Sequence, residues 1–136
     1  MRAITLKSFL AICGIIGILS VAPVAKAQSS GTLSAGGIVC TPFPPLFVPG
    51  GSTVTITGTS VKASNPSKPI AVKWSVWAGE TSTDFTTRIF VLPDSSSVSQ
   101  SGILVPRFNN GNTYVEACLN NNTTVDISYT LGLTAP

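Results

Sequence analysis

The chain contains no histidine, and charged residues make up only 10% of its 136 positions. Without imidazole no Ser-His-Asp or Cys-His relay can be assembled, and no His-ligated metal site. No glycine-rich loop follows a strand and opens a helix, so the phosphate cradle of nucleotide-binding folds is missing. No window repeats its apolar residues with the helical period of about 3.6. The main apolar run, residues 9–24, is shorter than the roughly 20 residues that span a bilayer, and Pro23 interrupts its end.

Carboxylates are scarce and scattered. Glu80 and Asp84 sit in or beside a turn, Asp94 in a serine-rich loop, and Glu116 and Asp126 on the last two strands. A glycosidase needs two carboxylates roughly 5–9 Å apart in a cleft. Glu80 and Asp84 are the only pair close in sequence, and a solvated turn accounts for both. Calcium wants several oxygen ligands from one loop, which the surroundings of Asp84 and Asp94 do not supply. These absences argue against an enzyme and imply no cofactor and no metal site.

What is present begins with an export signal. Arg2 and Lys7 precede the apolar run, and Ala25-Lys26-Ala27 forms a small-x-small cleavage pattern ahead of Gln28. Residues 1–27 are therefore read as a secretory signal peptide. An uncleaved anchor is the alternative, and lipidation at Cys13 is disfavoured by the bulky Ile12 before it. Arg2, Lys7 and Lys26 belong to this segment. The remainder balances Lys62, Lys68, Lys73, Arg88 and Arg107 against the five carboxylates, so the formal charge of +3 resides in the signal. No basic patch is left to condense on nucleic acid or on an anionic membrane surface. A secreted or extracytoplasmic location follows, in the periplasm or at the cell surface if the source is bacterial.

In an oxidising compartment Cys40 and Cys118 are expected to pair as a disulfide. The loop closed across their separation stabilises by about 4.5 kcal/mol at most on the chain-entropy model. That is a large share for a small domain.

Residues 28–37 are small, polar and glycine-rich and read as a flexible lead-in. Residues 41–49 hold four prolines among Phe43, Leu46, Phe47 and Val48, an extended strap over a sheet edge or sandwich end. Val54 and Ile56 alternate with threonines, and Ile70, Val72, Trp74 and Val76 share one face of a central strand. Residues 84–92 form a strand without clean alternation, and residues 93–102 read as a serine-rich loop. Residues 109–133 read as two strands joined by an Asn-rich turn, with a further turn at Asn110-Gly111. The whole is an all-β, single antiparallel β-sandwich of about seven short strands, immunoglobulin-like or jelly-roll in type, over residues 38–136. The closing stretches NTYVEACL and VDISYTLGL resemble the ends of bacterial extracellular β-sandwich modules, pre-peptidase C-terminal domains among them. That resemblance implies the sandwich and carries no function.

Two aromatics are candidate ligand contacts. Trp74 and Trp77 are three apart, so strand parity sends Trp74 into the core and Trp77 to the opposite face. Trp77 is either a rim residue covered by a loop or a platform for a sugar ring or partner protein. Tyr114 carries the same ambiguity. Parity also places Cys118 beside Tyr114 and Glu116 rather than with Val115 and Leu119, so a regular strand puts the disulfide on the polar face. Asn121 and Asn122 open overlapping N-x-T sequons that an Asn-rich turn explains equally well. The function expected is a non-enzymatic exported module acting by binding or adhesion toward a protein or carbohydrate. A subunit of a surface polymer is the alternative, using its N-terminal segment as a donor strand. A small secreted hydrolase is the remote third.

Overall fold

The computed structural model describes residues 25–108 and 111–136. The expected signal segment through Val24, Cys13, and Asn109-Asn110 of the second turn lie outside the described residues. Ten strands follow in order: β1 Ala25–Leu33, β2 Ile38–Cys40, β3 Leu46–Pro49, β4 Thr53–Lys62 and β5 Asn65–Pro69, then β6 Val72–Gly79, β7 Thr87–Ser95, β8 Ser97–Leu104, β9 Asn112–Asn120 and β10 Ile127–Ala135. They form two five-stranded sheets. One runs β2-β9-β6-β7, with β3 also on β9; the other runs β1-β10-β4-β5, with β8 also on β4. Every pairing is antiparallel. Among the described residues no helix is long and apolar enough to cross a membrane.

The core is the slab between the sheets, filled from both sides by alternate residues. Val72, Trp74 and Val76 of β6 and Val115, Ala117 and Leu119 of β9 are fully buried, facing Ile56 of β4 and Ile127 and Leu133 of β10. Burying such apolar surface is the main favourable term in folding. Trp74 is the largest of these side chains, and its indole N–H donates to the Ser95 carbonyl at 2.7 Å, so the buried ring leaves no polar atom unpaired. Across the slab the ring lies against Gly58, where a Cβ would come within 2.5 Å of Trp74 Cζ3 and 2.7 Å of the Thr130 carbonyl oxygen.

The all-β antiparallel sandwich and the disulfide are as expected, but the described residues hold ten strands rather than about seven. The expected flexible lead-in at residues 28–37 is a correction: most of it lies in β1, which pairs with β10 from Ile127 opposite Leu33 to Ala135 opposite Ala25. Apart from Leu33 the inward positions of β1 are small, so backbone bonding more than side-chain burial seats it, and composition does not register that. The sandwich therefore starts at Ala25 among the described residues rather than at Ile38, and the expected cleavage point after Ala27 falls inside β1. The serine-rich stretch 93–102 is likewise strand for the most part. Ser97 and Ser99 of β8 pair with Thr59 and Thr57 while Val98 turns inward.

The Asn-rich segment is not a hairpin turn. β9 and β10 belong to different sheets, and residues 121–126 carry the chain from one to the other. Asn121 holds that crossing. It is fully buried, and its amide nitrogen donates to the carbonyls of Leu33, Ser34 and Val125 at 3.3, 3.0 and 2.8 Å. Its side-chain oxygen accepts from the Thr123 N–H and hydroxyl. Of the two sequons, only Asn122 presents an exposed side chain.

Two stability outcomes follow. Gly58→Ala forces the new methyl into the Trp74 ring and should cost about 3 kcal/mol. Asn121→Ala removes the side-chain donor from the part-buried carbonyls of Leu33, Ser34 and Val125 and should cost about 2 kcal/mol. Both are read as lowered urea midpoints with an unchanged m-value; a midpoint equal to the parent's would refute the packing in question.

Candidate functional site

The outer face of the β2-β9-β6-β7 sheet carries side chains that the core does not use. On β9 the buried Val115, Ala117 and Leu119 alternate with Tyr114, Glu116, Cys118 and Asn120, and on β6 the buried Val72, Trp74 and Val76 alternate with Lys73, Ser75 and Trp77. Register places Glu116 opposite Trp77, Cys118 opposite Ser75 and Asn120 opposite Lys73. On the other side of β6, a bulge between Val76 and Trp77 skips Ile89 and sets Arg88 opposite Trp77. These residues, with Ile38 and Phe85, line an open cleft of about 300 Å³.

The cleft has a definite internal order. The Trp77 indole N–H donates to Ser75 Oγ at 2.9 Å, which fixes the ring's orientation. The guanidinium carbon of Arg88 lies 5.8 Å from the centre of that ring, within cation–π range. A cation–π contact of this kind engages no N–H group of the guanidinium as a hydrogen-bond donor. Burial beside the disulfide pushes the Glu116 carboxyl above its ordinary value. Glu116 Oε2 lies 3.7 Å from Cys118 Sγ, a packing contact, since a disulfide sulfur has no proton to donate.

The Cys40–Cys118 disulfide joins directly opposed residues of β2 and β9. Cys118 shares its face with Glu116, so the bond straps the N-terminal edge over the polar side of β9, as parity requires. Immediately after it, the Thr41 N–H donates to the Ala117 carbonyl at 2.8 Å, and the Ala117 N–H donates to Thr41 Oγ1 at 3.1 Å. These bonds bridge the gap between β2 and β3, which share one edge of β9. Cys40, Glu116 and Cys118 are the group of metal-type ligands that lies together among the described residues. With both sulfurs in the disulfide, neither is a thiolate, and Glu116 alone does not make a metal site.

Of the two expected ligand contacts, Trp77 lines the cleft, half-buried, with Arg88 over its ring. Tyr114 is on the same face beyond the cleft, its ring 4.5 Å from that of Phe47 on β3. The strap itself is partly an edge strand, burying Leu46 and Val48 and leaving Phe47 50% and Phe43 75% exposed. Sequence reasoning missed Arg88, whose side the bulge hides from an alternation count, and Phe85, which lies ahead of β7 and outside any strand. The one available signal was that residues 84–92 alternate poorly.

A second depression of about 340 Å³ lies on the opposite outer face, lined by Gln28, Ser29, Ser30, Thr57, Thr130, Leu131 and Gly132. It has neither an aromatic ring nor a charge. The cleft at Trp77 combines aromatic, cationic and acidic groups and is the stronger candidate for binding.

No family model matches the chain, so the resemblance of its closing strands to pre-peptidase C-terminal domains gains no support, and no curated protein matches it. Among solved structures it is similar to the Yersinia pseudotuberculosis-derived mitogen, with 13% identity and a TM-score of 0.46, covering 82% of this chain and 86% of that one. It is also similar to the K3 adhesin domain of Lys-gingipain from Porphyromonas gingivalis, with 15% identity and a TM-score of 0.46, covering 80% and 73% respectively. At such distances the likeness does not extend beyond β architecture.

The raised Glu116 carboxyl has a definite sign. The folded state holds this proton more tightly than the unfolded chain, so stability falls as pH rises from the unfolded-state value through the folded one. Glu116→Gln removes a charge that is costly to bury. The variant should melt above the parent at pH 7 and converge with it in acid, below both values. A variant melting lower at pH 7 would show that the carboxylate is stabilised in place.

Proposed function

We propose that this protein is a non-enzymatic exported module acting by binding or adhesion, with the outer face of the β2-β9-β6-β7 sheet as its contact surface. The observation that carries the reading is the Trp77 cleft, where the sheet turns outward an ordered tryptophan, an arginine within cation–π range of its ring and a half-buried carboxylate. Core packing requires none of these three. Tyr114 and Phe47 extend the aromatic surface toward the strap, giving a protein or carbohydrate ligand apolar area rimmed by polar groups. Export is favoured by the N-terminal signal pattern and by the disulfide. Glu116 is the sole acidic residue lining the cleft, so it lacks the second carboxylate that glycoside hydrolysis requires.

The alternative of a surface-polymer subunit with a free donor strand loses its motivation, because residues 28–33 are already paired along the chain's own β10.

The test compares Trp77→Ala with Thr57→Ala, which alters the opposite outer face, in binding to immobilised glycans and to surface-protein extracts. Trp77→Ala should weaken retention at least about tenfold, as removal of a central aromatic contact does, while Thr57→Ala should bind like the parent. Circular dichroism checks that both variants remain folded. Equal retention of the two folded variants, or loss confined to Thr57→Ala, would overturn the assignment.

A further inference from the structure

Resting on the binding reading above, we infer that the Trp77 cleft takes a carboxylate-bearing glycan, a short run of uronic acid residues, with Arg88 as its principal anchor. Charge complementarity points this way. Arg88 and Lys73 both line the cleft, and among the described residues neither is engaged in an ion pair. The sole opposing charge is Glu116, and burial there favours its neutral form. A cleft with two unpaired cations and one weakened anion is complementary to an acidic ligand.

Geometry narrows the class further. Ser75 orients the Trp77 ring, and the Arg88 guanidinium carbon lies over that ring at 5.8 Å from its centre. Arg88 is exposed beside the ring, so its N–H groups are accessible to pair bidentately with a carboxylate. Lys73 stands four residues before Trp77 on the same strand face, about 13 Å away along the strand, a span of roughly two linked sugar rings. The volume of about 300 Å³ suits a ligand of that size. Phe85 supplies apolar surface for a ring's C–H face. In this arrangement Arg88 and Lys73 contact the ligand, while Ser75 and Trp77 position Arg88.

Glu116 gives the interaction a pH dependence. The groups sharing its cleft are Lys73 and Ser75 with Trp77 from β6, Arg88 from β7, and the Cys40–Cys118 disulfide from β2 and its own strand. Its charge opposes an incoming carboxylate, so affinity rises as the pH falls and Glu116 takes up its proton. The uronate, a stronger acid, stays ionised over that range.

Isothermal titration of the purified protein with galacturonate trimer, and with the same trimer reduced at its carboxyl groups, tests the inference. The acidic trimer should bind at least about tenfold more tightly, and more tightly in mildly acidic than in neutral buffer, because burial raises the Glu116 carboxyl above its ordinary value. Arg88→Gln should erase the preference for the acidic trimer. Glu116→Gln should bind several-fold more tightly in neutral buffer and lose the pH dependence, a readout that a purely structural role would not produce. Equal binding of the two trimers, parent-like binding by Arg88→Gln, or affinity that falls with acid would overturn the inference. So would sulfated oligosaccharide or polyglutamate matching the uronate trimer, since either would mark a general anion or peptide site. Trp77-dependent retention of a neutral glycan or a protein, with no uronate binding, would overturn this inference while leaving the binding reading intact.

Discussion

The packing of Trp74 against Gly58 is the constraint on which the remaining arrangement depends. The ring is too large for the slab between two sheets unless the facing strand offers a position without a side chain, and Gly58 is that position. Its indole N–H in turn binds the Ser95 carbonyl, tying the end of β7 to the core. With Trp74 committed inward, strand parity sends Trp77 outward, and the bulge after Val76 brings Arg88 opposite it. One packing contact thus sets both the centre of the core and the side on which the cleft opens.

A sandwich of this size gains limited stability from its core alone. Two local devices secure the points at which the chain leaves a sheet. The disulfide and Thr41 bind the N-terminal edge across β9, where two short strands meet end to end. Asn121 gathers three carbonyls at the crossing between sheets, including that of Leu33 at the end of β1 and that of Ser34 just after it. Both devices act on β9 or its immediate continuation. The cleft is therefore built on the best-anchored strand of its sheet, which keeps Glu116 and the disulfide in fixed relation to Trp77.

Elements that bury large residues on alternate positions were legible in the sequence. Trp74 with Val72 and Val76, Val54 with Ile56, and the inward run of β10 all announce themselves by period. The pairing of Cys40 with Cys118, and the polar side on which it lies, followed from export and parity. Elements held by backbone bonding were not legible: β1 presents mostly small or polar side chains, and three of the eight residues of β8 are serine, so each reads as loop by composition. The crossing at Asn121 imitates a hairpin because Asn-rich turns and Asn-anchored crossings use the same residue. At the site, Trp77 was legible by parity, whereas Arg88 was not. A bulge shifts pairing by one residue and leaves no mark in a single strand's pattern.

The contrast between the two outer faces argues that the cleft is more than incidental surface. Both faces are solvent-exposed sides of antiparallel sheets and are under the same demand to remain soluble. The face of β4 and β10 meets it with hydroxyls, Thr59 and Thr130 bonding each other at 2.8 Å. Side chains of that kind would have sufficed on the other face as well. There the chain instead places the indole of Trp77, the rings of Phe85, Tyr114 and Phe47, and a carboxylate held where burial disfavours its charge. Exposed aromatic area and a desolvated acid both work against a stable, soluble domain. Because the neighbouring face shows that the fold does not need them, their concentration on one sheet is the physical ground on which the proposed binding role rests.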